Sequence, residues 1–337
     1  MVEREGHIGY LHISNLYKEQ LILLFKECYA LEKIHGTSAH ITFSQPPPVS
    51  KETDYHEYTN VYPSRQLTFF SGGESYNNFI GLFDKDALMK ALTELGLDPD
   101  KNLTIYGEAY GGSQQGMSKT YGPKLKFAVF DIQIGNCWLS VPDAHELTKK
   151  LGLEFVHYIK VSTDLKSLDE QRDAPSVQAI RNDVSSFVGH NVLTEADGVV
   201  DVPGVGRILN PKKREGVVLR PLIEVTLNNG ERLICKHKGD DFKETTTARP
   251  VVDPAKMAVL EDANAVANEW VTATRLTHVL DKLTGHCMEK MREIIAAMTE
   301  DVLREGKGEI VESETVKKSI GKKTVDMYKN YLKSQIK

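Results

Sequence analysis

The chain has 337 residues, a formal net charge of −5, 40% hydrophobic residues and 26% charged residues. That balance excludes a disordered chain and a uniformly basic nucleic-acid coat, so any polyanion partner must meet a local patch. The length exceeds what one compact core usually holds, and two domains are expected.

In chain order, Leu11 to Ala30 mixes helical spacing at Leu21, Leu23, Leu24 and Phe25 with a short strand leading to Lys33. The stretch Glu32-Lys33-Ile34-His35-Gly36-Thr37 then predicts a tight turn, where glycine lets chain and ligand approach closely. Ile41 to Phe43 reads as a returning strand, and residues 45–62, with three consecutive prolines, as an exposed loop. Asp84 to Leu97 has helical spacing with acidic residues early. Leu103 to Glu108 reads as a strand ending in a carboxylate and opening into a glycine-rich loop. Phe127 to Ile134 is strongly β-prone, and strict alternation puts Phe130 on one face with Ala128, Ile132 and Ile134, with Asp131 on the other. Residues 142–150 and 164–190 read as helices or irregular crossing segments.

Glu215 to Arg220 starts another strand, and Asn228-Asn229-Gly230 marks a hairpin. Its second arm carries Lys236 and Lys238 on one face. A threonine- and proline-containing linker follows over 244–254, and from about residue 255 the apolar residues keep helical spacing to the end. The expected organisation is therefore a first domain over 1–245 and a helical domain over 246–337.

The four cysteines, at 28, 137, 235 and 287, show no CxxC spacing, which points to free thiols in a reducing, cytoplasmic-type compartment. The amino terminus lacks the apolar core of a signal peptide, and no apolar run reaches the length of a membrane span. An intracellular protein with no membrane partner is expected.

Several side chains carry chemistry if they converge. A lysine titrates near pH 10.4, so a nucleophilic Lys33 must lose its proton more readily, by roughly 4 kcal/mol for about three pH units. Lys236 and Lys238 could supply a cationic field for that, or grip phosphate, or mark a solvated strand end. Glu108 and Glu215, each at a strand boundary beside glycine, could bind a ribose hydroxyl or a hard divalent ion. Phe130 offers a face for a stacked base or for the core, and Arg65 could meet phosphate or lie on the surface.

Taken in order, Lys-x-x-Gly at Lys33, Ser64-Arg65, strand-Gly-Glu at Glu108, Phe130-Asp131-Ile132, Glu215-Gly-Val-Val and Lys236-x-Lys238 form a series. This series resembles the covalent nucleotidyltransferase superfamily of ATP-dependent ligases and messenger-RNA capping enzymes. Glu32-Lys33-Ile34-His35-Gly36-Thr37 is similar to the RNA ligase 2 family in particular, because DNA- and cap-directed relatives usually have aspartate where His35 stands. The resemblance spans roughly residues 25–245. Ser38 departs from the asparagine common in the family, and the 45–62 loop is longer than the family minimum.

The resemblance implies an α+β nucleotidyltransferase domain of antiparallel sheets flanked by helices, followed by a small all-helical domain. It implies ATP as the AMP donor with Mg2+, Mn2+ being a substitute, and RNA with 3′-hydroxyl and 5′-phosphate ends, as a nicked duplex or paired ends. It makes Lys33 the nucleophile, puts Glu32 and Phe130 on the adenine, Glu108 on the ribose and Arg65 on ribose or phosphate, and counts Ile34 and Gly36 among the nucleotide-binding residues. Lys236 and Lys238 would hold the α-phosphate, Glu215 would help hold the metal, and His35 would act after adenylation. A capping guanylyltransferase, an ATP-dependent DNA ligase and a non-catalytic RNA-binding module are the alternatives. A monomer is expected, with Lys317, Lys318, Lys322 and Lys323 of the helical part on RNA or simply solvated. Removing residues 250–337 is then expected to spare adenylation and impair sealing.

Overall fold

The computed structural model describes residues 9–46, 49–52, 58–61, 64–182, 198–202, 205–247, 251, 262–283, 285 and 287–335. Two mixed but mainly antiparallel sheets dominate its first part. In one, the strands run in the order Ser14–Asn15, Cys235–Lys238, Gly216–Pro221, Glu27–Lys33 and Tyr158–Ser162. In the other the order is Glu154–Phe155, Lys126–Ile134, Leu103–Tyr110, Thr37–Ser44 and Gln66–Ser71, with Cys137–Trp138 added beside Lys126–Ile134. The short end strands Ser14–Asn15 and Glu154–Phe155 pair in parallel, and the remaining pairs are antiparallel. The chain crosses from the first sheet to the second over only Ile34, His35 and Gly36.

Each sheet buries one face under helices. Leu16, Cys28, Ala30, Val217, Leu219 and Cys235 pack with Leu168 of helix Leu165–Asp173. Ala39, Ile41, Phe43, Ile105, Phe127, Val129 and Ile132 pack with Leu88 and Leu92 of helix Lys85–Glu94 and with Val141 and Ala144 of helix Val141–Lys150. Asp84 caps the first of these helices, accepting from the Ala87 N–H at 3.0 Å, as its acidic start suggested. The period of two then leaves Leu31, Lys33, Val218, Lys236 and Lys238 on the other face of the first sheet, because Gly216 pairs with both Lys33 and Lys238, and Val218 with both Leu31 and Lys236. Ser38, paired with Glu108, and His40, paired with Tyr106, hold the matching face of the second sheet.

Strict alternation fails at one place. Tyr106 pairs with Asp131 and Gly107 with Val129, so Phe130 is the extra residue of a β-bulge. The bulge returns Asp131 to the face of Tyr106 and Ala128, opposite Ile132, and leaves Phe130 unpaired to line a cavity. The expectation that Phe130 shares a face with Ala128 and Ile132, with Asp131 opposite, is corrected accordingly. Part of the 45–62 stretch is also more regular than a loop: Val49–Glu52 and Tyr58–Val61 form a two-stranded antiparallel ladder.

Helices Ala263–Trp270, Ala273–Lys282, Met291–Glu305 and Glu314–Gln335 gather a separate apolar core around Val266, Trp270, Leu276, Ile294, Met298, Val302, Ile320 and Tyr328. Most of the expected linker, and Met257 and Leu260 beyond it, lie outside the described residues. Among the described residues no helix is long and apolar enough to cross a membrane.

Candidate active site

Lys33 ends its strand at the edge of the crossover, and two cavities meet there. One, of about 210 Å³, is mostly apolar, with walls that include Tyr10, Leu31, Ile34, Phe130, Val156 and Val218. The other, of about 230 Å³, is polar and includes His35, Gly36, Glu215, Lys236, Lys238 and His278. Lys33, Ser38 and Glu108 line both.

Glu215 organises the junction. Its Oε2 lies 3.0 Å from Lys33 Nζ and 3.0 Å from His35 Nδ1, and its Oε1 lies 3.0 Å from Lys238 Nζ. Burial alone would push this carboxyl up, but Lys33, Lys238 and His35 together hold it well below the usual carboxylate range. It is an acceptor that orients the amine, and a poor base. Gly216, beside it, packs so close to His237 that an added Cβ would stand 2.2 Å from the His237 carbonyl oxygen. Gly36 is equally confined: its Cβ would meet the Ala109 carbonyl oxygen at 2.4 Å, and its N–H donates to Glu108 Oε1 at 3.1 Å.

Burial pushes the Glu108 carboxyl up to about 7, with Lys33 opposing and Glu215 adding to the rise. The folded protein therefore holds the Glu108 proton more tightly than the unfolded chain does. Stability must fall as pH rises from the ordinary value of 4.5 towards 7, and level off above it. At about 1.36 kcal/mol per pH unit that window corresponds to at most ~3 kcal/mol. Glu108→Gln, which cannot ionise, should consequently melt above the wild type at pH 8 and close to it at pH 4, as thermal denaturation at both values would show. An equal difference at both pH values would sink this account.

Lys236 and Lys238 do point into the site, and both already hold carboxylates. Lys236 Nζ lies 3.3 Å and 3.4 Å from the Glu305 carboxylate oxygens, and Lys238 bonds to Glu244 as well as meeting Glu215. Burial, with help from Lys238 and Lys33, lowers the Lys236 pKa against the pull of Glu305. For Lys238, Glu244 and Glu215 overcome burial and raise it. The cationic field expected around Lys33 is thus balanced by Glu244, Glu305 and Glu215.

Two expected ligand contacts change. The Glu32 side chain lies on the opposite sheet face from Lys33 and is buried, accepting from Ser176 Oγ at 2.5 Å, Val177 N–H at 2.9 Å and Gln178 N–H at 3.3 Å. It caps the turn into helix Val177–Asn182, so its carboxylate oxygens are already engaged. Arg65 lines neither cavity. Its Nη2 donates to the Leu97 and Lys101 carbonyls at 3.3 Å and 3.4 Å and to that of Asp98, with the guanidinium 4.8 Å from the Phe43 ring centroid. It ties the 97–101 turn to the sheet edge.

Other walls gave no motif to read. Tyr10 sits edge-on to Phe130, with centroids 4.9 Å apart, and donates to Asp131 Oδ2 at 2.6 Å. Asp131 in turn is buried between Arg220 and Arg232, at 3.0 Å and 2.6 Å. Glu244, His278, Lys282, Asp301, Arg304 and Glu305 come from beyond the strands to close the polar cavity. Among the described residues no group of three or more His, Cys, Asp or Glu side chains stands ready to hold a metal. Glu215 Oε1, which meets the Lys238 ammonium at 3.0 Å, is the buried carboxylate oxygen of the cavity that suits a hard cation.

An α+β scaffold with a partly buried lysine held on a buried carboxylate between two sheets is the class of protein this geometry defines. The family model described as RNA ligase matches residues 26–238, more than half of the chain, and the chain belongs to the RNA ligase family. No curated protein sequence matches it. Among solved structures it is similar to Naegleria gruberi RNA ligase. A mutant of that ligase with ATP and Mn gives 16% identity and a TM-score of 0.42 over 70% of this chain and 57% of the other. The same ligase with PPi gives 15% and 0.42, again over 70% and 57%. A further mutant with AMP and Mn gives 16% and 0.41 over the same shares. The chain thus spans 57% of the length of these structures.

Proposed function

We propose that this protein is an ATP-dependent RNA ligase that joins 3′-hydroxyl and 5′-phosphate ends, working on nicked duplex RNA as a monomer. The observation that carries the reading is the meeting of an apolar and a polar cavity at Lys33 Nζ, with Glu108 between them. Adenine would enter the apolar cavity against Phe130, with Ile34 and Val218 as further walls, and the ribose would lie near Glu108. The phosphates would then extend past Lys33 toward Lys236 and Lys238. The Glu215 carboxylate aims the lysine amine, and Lys236 and Lys238 stabilise charge on the α-phosphate as the Nζ–P bond forms and the bond to pyrophosphate breaks. An oxygen of the RNA 5′-phosphate next displaces the lysine from AMP. Finally the 3′-hydroxyl attacks that 5′-phosphorus and AMP leaves. His35, on the same Glu215 oxygen as Lys33, would act once the lysine is occupied.

A divalent ion, Mg2+ or Mn2+, would take Glu215 Oε1 together with water and phosphate oxygens, neutralising charge on the reacting phosphates. We assign residues 1–245 to the adenylyl-transfer part and 246–337 to the helical part. On helix Glu314–Gln335, Lys317, Lys318 and Lys322 are exposed, although Lys317 also pairs with Glu314 at 3.0 Å. That basic face suits a duplex backbone. The buried free thiols of Cys28, pushed up to about 12 by burial, and of Cys235 support a reducing compartment.

The test is incubation with α-labelled ATP, then α-labelled GTP, with magnesium, followed by a denaturing gel. Label from ATP alone on the protein, and joining of a nicked RNA duplex on adding it, are expected. Label from GTP would favour a capping activity, and no label from either would overturn the reading.

A further inference from the structure

The polar cavity has two walls, and only one comes from the residues that the family model matches. Facing Lys33, Lys236 and Lys238 are His278 and Lys282 of helix Ala273–Lys282 and Asp301, Arg304 and Glu305 of helix Met291–Glu305. His278 is largely enclosed, with 17% of its side chain exposed. Its Nδ1 lies 3.2 Å from Glu244 Oε1, and its ring centroid stands 5.0 Å from that of His35. Glu244 also holds Lys238, and Glu215 holds Lys33, His35 and Lys238. Glu215, His35, His278, Glu244 and Lys238 therefore form a ring of contacts around one cavity, and Lys33 joins it through Glu215. With Nδ1 on Glu244, Nε2 is the ring atom left for a ligand, and it donates to a phosphate as the imidazolium, the form that burial disfavours and Glu244 favours.

Charge gives this wall its purpose. Without nucleotide the site is balanced: Glu305 faces Lys236, Glu215 and Glu244 face Lys238, and Asp301 lies 3.7 Å from Lys282 and bonds Arg304. A triphosphate adds about four negative charges, which three already paired lysines on one side cannot match. Lys282, with 62% of its side chain exposed, can turn from Asp301 at little cost, since exposed pairs are worth ~0–1 kcal/mol.

Resting on the ligase reading above, we infer that the helical region completes the adenylation site, with His278 contacting the nucleotide phosphates and Lys282 supplying a second cation at their outer end. On this inference, removing residues 250–337 slows adenylation as well as sealing, against the expectation from the sequence. The helical wall belongs to the first chemical step as well as to RNA binding.

The full chain tests it by comparing two steps. One is transfer of label from ATP to the protein over a range of ATP concentrations. The other is sealing of a nick whose 5′-end already carries AMP, with no ATP added. His278→Ala should slow adenylation by about tenfold or more, as loss of one charge-stabilising contact does, and should slow sealing of the pre-adenylated nick much less. Lys282→Ala should raise the ATP KM about fivefold with little change in the maximal labelling rate. Equal losses in both steps for His278→Ala would show a merely structural role, and unimpaired adenylation in both variants would overturn the inference. Should His278→Ala not fold, the exposed Lys282 still decides. A wild-type protein that takes label while both variants match it refutes this inference alone. A wild-type protein that takes none refutes the ligase reading itself.

Discussion

Lys33→Ala should take no label from ATP at all, a loss of ~10⁴-fold or more, because covalent transfer has no substitute for the attacking nitrogen. The same variant should still seal a nick whose 5′-end already carries AMP, since that displacement uses the RNA hydroxyl and leaves Lys33 idle. The pairing of outcomes matters more than either alone. A collapse of the site would remove both activities, whereas removal of a nucleophile removes only the first. The structure gives reason to expect a folded variant: the Lys33 side chain is 25% exposed, and without it Glu215 keeps Lys238 at 3.0 Å and His35 at 3.0 Å. A denaturing gel, a sealing assay and a melting curve measure the three quantities. Persistent label on Lys33→Ala would place the nucleophile elsewhere.

Much of this site was legible in the sequence because its residues sit at strand ends, where alternation fixes which side chains share a face. Lys236 and Lys238 share a face by period two, and pairing through Gly216 and Val218 then sets them beside Lys33. The crossover at Ile34-His35-Gly36 followed from the glycine, and the close approach of Gly36 to Ala109 and Glu108 is its physical reason. What alternation could not reveal was the bulge at Phe130, since one inserted residue leaves composition and β-propensity untouched while turning the rest of the strand over. Glu32 and Arg65 show a different limit. Charge beside a motif reads as ligand contact, but a carboxylate on the far face of the strand was needed at a helix start, and an arginine near the sheet edge was needed by three carbonyls. His278 and Glu305 had no local signal whatever. They lie on amphipathic helices whose apolar spacing reports their own core and says nothing of which loop or lysine their polar side meets.

Glu215→Ala should cost more widely than Lys33→Ala, because one carboxylate serves two ammonium groups and the His35 ring. Adenylation should fall by ~10³-fold, the scale set by removing a preorganised charge from a buried site. Sealing of a pre-adenylated nick should fall too, since the Glu215 oxygen that suits a divalent ion is lost in every step. Stability should also drop, by about 3 kcal/mol, because Lys33 loses its carboxylate partner in a partly buried setting. Lys238 still has Glu244, which limits the damage. The sign of the pH dependence follows from the depressed folded-state pKa. The Glu215 contribution is fully present above the unfolded value of about 4.5 and is lost as pH falls below it towards the folded pKa. Wild type and Glu215→Gln should therefore differ most in urea denaturation at neutral pH and converge in acid. Should Glu215→Ala seal pre-adenylated nicks as fast as wild type, its work would be confined to aiming Lys33, and the cation would have to be held by other groups.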